Sequence, residues 1–174
     1  MFKEINILRP FFEGSNREFN VRELARITKI TPATSSKRLK ELEKKQILKH
    51  RKERILDLYK ADLESTAYRD LKVYYSIRKI RESGLIESLN EFYVKPAIVL
   101  YGSASKGLDT DTSDIDMVVL SENTKMFPKQ KEFEKKLGKE LQIFAVKSLK
   151  GLRNKHLINS VLNGIVLQGE IQWT

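Results

Sequence analysis

The segment from Val99 to Leu120 constrains the fold of this chain more than any other part of the sequence. An apolar run, Ala97 to Tyr101, is followed by Gly102-Ser103, ten further residues, Asp114-Ile115-Asp116 and a second apolar run. Short apolar runs bounded by turn residues are typical of buried strands. The second strand begins with two acids on alternate positions, so both carboxylates project from one face. The sequence therefore predicts a strand–turn–strand unit with an acid pair at its edge.

The acid pair predicts a metal site. Two carboxylates held close together on a strand repel each other, and a divalent cation relieves that repulsion. Oxygen ligands suit Mg²⁺, which keeps some water and shares substrate phosphates. Gly102 lets the backbone approach a phosphate, and the Ser103 hydroxyl and neighbouring N–H groups can donate to its oxygens. The simpler alternative for such an acid pair is a solvated turn.

This arrangement, GS-x10-DID, resembles the DNA polymerase beta-like nucleotidyltransferase superfamily, and within it the group called minimal nucleotidyltransferases. The resemblance covers residues 85–174, and its matching residues are Gly102, Ser103, Gly107, Ser113, Asp114 and Asp116. It implies a small domain with a mixed sheet flanked by helices. It further implies that Asp114 and Asp116 are catalytic and bind Mg²⁺ or Mn²⁺. The expected substrate is a nucleoside triphosphate, with ATP as the first candidate. The residues expected to hold it are Gly102, Ser103, Lys106, Gly107 and Ser113.

Two departures from the family's pattern bear on activity. Ala104 and Lys106 stand where many relatives carry arginines, and a lysine meets a phosphate only as a point charge. The third acid of the family is expected on the strand Leu141 to Val146, at the position of Gln142. Glu140 lies two residues earlier on the same face and is the alternative. Because an amide is a poor metal ligand and a poor base, the sequence predicts nucleotide and metal binding and leaves transfer open.

The N-terminal part predicts a different domain, over residues 1–62. The expected elements are helices Phe2–Phe12, Val21–Ile27 and Pro32–Lys45, then strands Leu48–Arg51 and Ile55–Tyr59 with a turn near Lys52-Glu53. Asn20 and Thr31 are expected helix caps, and Glu23 could complete a capping box with Asn20. The opposite face of the third helix is expected to expose its polar residues, while Ala33, Leu39 and Leu42 face inward.

This order resembles the winged helix-turn-helix domain of transcriptional regulators, over residues 19–60. The resemblance implies double-stranded DNA as a partner. Short polar side chains at the start of a recognition helix can reach base edges, and flanking cations neutralise phosphates. The candidate DNA-binding residues are Thr34, Ser35, Ser36, Lys37, Arg38, Lys40, Arg51, Lys52 and Arg54. The net charge of +10, denser in the first 70 residues, agrees with a polyanionic partner. The simpler alternative is a domain used only for dimerisation or docking.

Residues 63–84 are expected to form a connecting helix, with an apolar stripe that begins at Ala67, before the second domain at 85–174. The fold class is thus α+β. Because operator-binding winged proteins usually bind as dimers, a homodimer is expected. Trp173 is expected to be a packing or interface residue. There is no cysteine, no secretory leader pattern and no apolar run long enough for a bilayer, so a cytoplasmic protein without a membrane partner is expected.

Two functions remain open from the sequence. The first is transfer of a nucleotidyl group, AMP, to a protein or other hydroxyl acceptor, coupled to DNA binding. The resemblance to minimal nucleotidyltransferases implies a HEPN-type toxin as a possible protein partner. The alternative is a catalytically weak or inactive DNA-binding regulator or antitoxin. In that case the nucleotidyltransferase domain would serve as a sensor or a partner-binding module.

Overall fold

The structure is a computed structural model that describes residues 2–171, so Trp173 lies outside the described residues. The chain divides into two compact units between Tyr75 and Ser76. Each unit combines helices with a small sheet, which confirms the predicted α+β class. Within the described residues, no helix has the length and apolar character to cross a membrane.

The first unit has a helical layer and a three-stranded antiparallel sheet of order β1-β3-β2. Its elements are α1 (Phe2–Glu13), β1 (Phe19–Asn20), α2 (Val21–Thr28), α3 (Pro32–Lys44), β2 (Leu48–Glu53), β3 (Leu56–Ala61) and the first part of α4 (Thr66–Glu82). The hairpin is longer than predicted, because its turn is Arg54-Ile55 and not Lys52-Glu53. Arg54 adopts a left-handed conformation (φ 53°), which tight hairpin turns require.

Both predicted N-caps are present. The Asn20 side chain accepts a hydrogen bond from the backbone N–H of Glu23 at 2.9 Å, and Thr31 accepts one from Thr34 at 3.2 Å. The capping box at Asn20 is only half formed, because the Glu23 carboxylate is bound by the guanidinium of Arg17. The caps fix where α2 and α3 begin.

The core of the first unit corrects the predicted orientation of α3. Ser35, Leu39 and Leu42 are buried, whereas Ala33 is exposed. Positions 35, 39 and 42 lie four and three residues apart, so they form one helical stripe that faces α1 and the sheet. Ser35 therefore points into the core and not toward solvent as predicted. A similar one-residue shift occurs on α4, where Tyr68 is buried and Ala67 is exposed.

The second unit carries a mixed sheet, as predicted, and its four strands have the order β6-β5-β4-β7. Its elements after α4 are α5 (Leu85–Tyr93), β4 (Ala97–Tyr101), β5 (Ile115–Leu120), α6 (Gln130–Leu137), β6 (Leu141–Val146), α7 (Lys155–Leu162) and β7 (Ile165–Gln168), with 3₁₀ turns at Ala104–Lys106 and Leu149–Leu152. Strands β5 and β6 are parallel, while β4 is antiparallel to both β5 and β7.

Alternation along β4 and β5 separates two apolar cores. Leu100 and Met117 project to the face covered by α5 and α6. Val99 and Val118 project to the other face, which α7 and the turn Leu149–Leu152 partly cover. Asp116 is two residues before Val118, so its side chain lies on this second face.

Candidate functional site

The predicted acid pair lies at the end of the central strand β5. Asp116 is paired with Tyr101 on β4 and with Gln142 on β6, while Asp114 immediately precedes the strand. The Gln142 side chain donates a hydrogen bond from Nε2 to Oδ2 of Asp114 at 2.6 Å. Asp114, Asp116 and Gln142 are therefore grouped on one face, and all three remain in part open to solvent.

Electrostatics at the acid pair favour a cation. Partial burial, and next to it the charge of Asp114, raise the pKa of Asp116 above its ordinary value. Burial, together with the charge of Asp116, raises the pKa of Tyr101 to about 12, so Tyr101 is a neutral hydrogen-bonding group at physiological pH. A divalent ion bound by the carboxylates would offset the charge of Asp114, which is the second cause of the raised pKa of Asp116.

Gly102 leaves the space beside Asp116 open. Its backbone is left-handed (φ 72°), and a Cβ atom at this position would lie 3.1 Å from Cγ of Asp116 and closer still to Oδ2. Any other residue would therefore both strain the turn and push into the carboxylate. Ser103 follows, and Gly107, also left-handed (φ 66°), ends the 3₁₀ turn that carries Lys106. Lys106 is exposed on this turn.

The loop between the 3₁₀ turn and Asp114 is anchored by a buried ion pair that was not predicted from the sequence. Nζ of Lys139 lies 2.6 Å from Oδ2 of Asp109 and also donates to the carbonyl oxygen of Thr110 at 2.6 Å. The side chains of Asp109 and Lys139 are only 5% and 16% exposed. The predicted nucleotide ligand Ser113 accepts a hydrogen bond from the backbone N–H of Thr110 at 2.9 Å, so its hydroxyl shapes the same loop. No sequence pattern distinguishes Asp109 from the other acids of this loop.

Gln142, and not Glu140, is in register with Asp116. Glu140 precedes β6, is exposed, and contributes its backbone oxygen to Ile115 N–H at 2.9 Å. Among the described side chains, no group of three His, Cys, Asp or Glu residues could hold a metal. Two carboxylates beside a glycine opening still suit Mg²⁺, because that ion takes its remaining ligands from water and substrate phosphates.

The predicted DNA-binding residues fall into three groups. Ser35 is buried, so the prediction that it contacts DNA is corrected by the packing of α3. Thr34, Ser36, Lys37, Arg38, Lys40, Lys52 and Arg54 are exposed or partly exposed. Arg51 is exposed but forms a two-bond ion pair with Glu18 at 2.8 and 2.6 Å.

Comparison with known families agrees with the geometry of the second unit. Residues 82–160 match the family described as nucleotidyltransferase domain. A nucleotidyltransferase domain is thus present. The match spans the Gly102-Ser103 turn, the acid pair and Gln142, and lies wholly within the second unit. No curated protein matches the chain.

Proposed function

We propose that the nucleotidyltransferase domain binds a nucleoside triphosphate with Mg²⁺, ATP first, and transfers its nucleotidyl group to a hydroxyl acceptor. The observation that carries this proposal is the placement of Asp114 and Asp116 on one face, beside an opening that only glycine at position 102 permits. Mn²⁺ has similar ligand preferences and is the natural substitute ion.

Each residue has a distinct part in the proposed reaction. Asp114 and Asp116 hold the cation, which when bound supplies positive charge to the phosphates. The Ser103 hydroxyl and the backbone after Gly102 orient the triphosphate, and Lys106 adds a point charge. The acceptor oxygen forms a bond to the α-phosphorus as the bond to the β-phosphate oxygen breaks, which releases pyrophosphate. The acceptor proton passes to water, because Gln142 has no carboxylate to take it.

The hydrogen bond from Gln142 to Asp114 favours a second candidate function, which is nucleotide binding without transfer. A neutral amide that occupies one carboxylate oxygen weakens the cation site. The domain would then act as a nucleotide sensor or partner-binding module of a DNA-binding regulator or antitoxin. The side chain at position 142 therefore decides between the two candidate functions, nucleotidyl transfer and nucleotide sensing.

We also propose that the first unit is a winged helix domain that binds double-stranded DNA as a homodimer. The order of its helices, the capped start of α3 and the β2–β3 hairpin support this. A protein hydroxyl is the acceptor that fits a chain with a partner-binding role, and a HEPN-type toxin is the first partner to test. Repression of the operon that encodes such a partner would join the two activities.

Labelled ATP separates the two candidate functions. ATP labelled on the α-phosphate, Mg²⁺ and candidate partner proteins are incubated with the wild-type chain and with Asp114→Asn and Asp116→Asn. Transfer of label by the wild type and its loss in both variants is the expected result. Magnesium-dependent ATP binding without label transfer to any partner would favour the sensor. Absence of ATP binding in the wild type would overturn both.

A further inference from the structure

Helix α2 and the residue that ends it present three cations that the assigned site residues do not include. Arg22 and Arg26 lie one helical turn apart on α2, and Lys29 is the left-handed residue that ends the helix; all three are exposed and are here called the α2 basic stripe. Among the described side chains, none of the three makes an ion pair, and the nearby Glu23 carboxylate is bound by Arg17. Like charges one helical turn apart, such as those of Arg22 and Arg26, destabilise a helix unless a counter-charge is supplied.

By contrast, the basic residues at the base of the β2–β3 hairpin, Lys49 and Arg51, form ion pairs with acids of the same chain. Nζ of Lys49 lies 3.0 Å from Oδ1 of Asp62 and 3.6 Å from Oε2 of Glu64. The Arg51 guanidinium is shared by Glu18 and Glu53, with the Glu53 contact at 2.6 Å. A phosphate would have to displace these carboxylates to reach either cation.

His50 in the same hairpin is also engaged. Its Nε2 lies 2.9 Å from Oδ1 of Asp57, and its Nδ1 lies 3.4 Å from Oε1 of Glu43. The basic sequence of the hairpin base is therefore largely neutralised by the chain itself. Only the tip of the hairpin, Lys52 and Arg54, keeps exposed cations without an ion pair among the described side chains.

The α2 basic stripe borders a surface groove that reaches the start of α3. The groove is lined by Arg22, Ala25, Arg26, Lys29, Ile30 and Pro32. Thr31, Pro32 and Ala33 at the beginning of α3 are exposed beside it. A long anion lying along the stripe would therefore run past the exposed start of α3.

We propose that the α2 basic stripe contacts the phosphates of double-stranded DNA in this protein, and that the base of the β2–β3 hairpin does not. The inference rests on the proposed DNA binding of the first unit. With a rise of about 1.5 Å per residue, Arg22 and Arg26 are about 6 Å apart along α2, and Lys29 lies beyond the end of the helix. One DNA strand presents about two phosphates over that length of duplex, which matches the two arginines of α2.

A duplex fits this surface better than a membrane does. Ile27 is the one large apolar side chain that α2 leaves exposed among the described residues, whereas an interfacial helix needs an apolar face to insert. The exposed start of α3 beside the stripe offers short polar side chains, of which Thr34 and Ser36 are partly accessible. Such residues suit the edge of a groove in duplex DNA.

The salt dependence of DNA affinity tests the inference in the full chain. The probe is a mixed-sequence duplex of about two helical turns, titrated at salt concentrations of about 50 to 200 mM. Arg22→Gln/Arg26→Gln is compared with the matched hairpin variant Lys49→Gln/Arg51→Gln, since both remove two positive charges. We expect the first variant to lower the slope of log K against log salt by about 1.8, and the second by less than about 0.9.

Further variants and probes distinguish the ways in which the inference could be wrong. Arg22→Lys/Arg26→Lys keeps the charges and should retain the wild-type slope, which distinguishes lost contacts from misfolding. Equal losses in the two matched variants, or a larger loss in the hairpin variant, would overturn the inference while leaving DNA binding intact. No duplex binding by the wild type would instead overturn the proposed DNA binding. Stronger binding to single-stranded RNA or to phosphatidylserine vesicles than to the duplex would overturn the assignment to DNA.

Discussion

At the scale of single residues, Gly102 is the position on which the candidate site depends most directly. Gly102→Ala adds a methyl group that collides with the Asp116 carboxylate and forces alanine into a left-handed conformation. We expect loss of magnesium-dependent ATP binding, measured by calorimetry, together with about 1 kcal/mol of lost stability from the backbone strain.

Gly138→Ala is the matched control. Gly138 is also left-handed (φ 67°), but a Cβ there would meet no atom within 4 Å. The control should therefore lose a similar amount of stability and keep its affinity for ATP. If Gly138→Ala lost ATP binding to the same extent, strain alone would explain the effect, and the space beside Asp116 would have no special role.

Gln142 is the second residue that sets what the site can do. Gln142→Glu replaces a hydrogen bond to Asp114 with a like-charge contact, so the free protein should lose up to about 1 kcal/mol of stability. Mg²⁺ should restore that loss, and the rise in melting temperature on adding Mg²⁺ should be larger than in the wild type. Thermal unfolding with Mg²⁺ and with EDTA measures both effects.

Asp114→Asn gives the opposite control for this prediction. It removes one charge from the site, so added Mg²⁺ should hardly change its melting temperature. If Gln142→Glu and the wild type responded equally to Mg²⁺, position 142 would not contact the metal site. A gain of label transfer in Gln142→Glu would show that the missing third acid limits the wild-type reaction.

At the scale of elements, the buried pair Asp109–Lys139 joins the β4–β5 loop to the segment between α6 and β6. Lys139→Met leaves the Asp109 carboxylate buried without its ammonium partner, which should cost about 3 kcal/mol in urea denaturation. Lys139→Arg should recover part of this loss. An effect below about 1 kcal/mol would show that the loop relaxes to expose Asp109.

The rotation of α3 can be tested with two neighbouring serines. Ser35 is fully buried, whereas Ser36 is partly exposed. Ser35→Asp places a charge in the apolar core of the first unit and should destabilise it by about 3 kcal/mol or more. Ser36→Asp should change the free energy of unfolding by less than about 1 kcal/mol. Similar thermal stabilities for the two variants would contradict the orientation of α3.

At the scale of the whole molecule, each unit has a separate hydrophobic core. Bound Mg-ATP should therefore slow amide hydrogen exchange in the second unit, by about 100-fold for globally exposed amides at a ligand concentration of 100 times Kd. Strands β4, β5 and β6 should show this effect, and α2 and α3 should not. Equal slowing in α2 and α3 would show that the two units unfold as one.

Local sequence patterns predicted much of the second unit. The bounds of β4 and β6 agree with the sequence prediction, because β4 is a short apolar run between Pro96 and Gly102 and β6 is a mostly apolar run between the charged residues Glu140 and Lys147. The alternation of Asp114 and Asp116 predicted one shared face, which agrees with Gln142 being in register with Asp116 and hydrogen-bonded to Asp114. The hairpin of the first unit was less well predicted, because its turn depends on the left-handed conformation of Arg54, which no local pattern indicates.

The sequence alone determined the order of the three helices and the hairpin in the first unit, the caps at Asn20 and Thr31, and the acid pair with its glycine turn. These features depend on residues close together along the chain, where periodicity and capping chemistry act. Only the tertiary structure decided that Gln142 binds Asp114, 28 residues away, and that Lys139 holds Asp109, 30 residues away. It also decided that Glu18 neutralises Arg51 across 33 residues. Contacts between residues so far apart in sequence depend on how strands and loops pack, and a local sequence pattern does not indicate that packing.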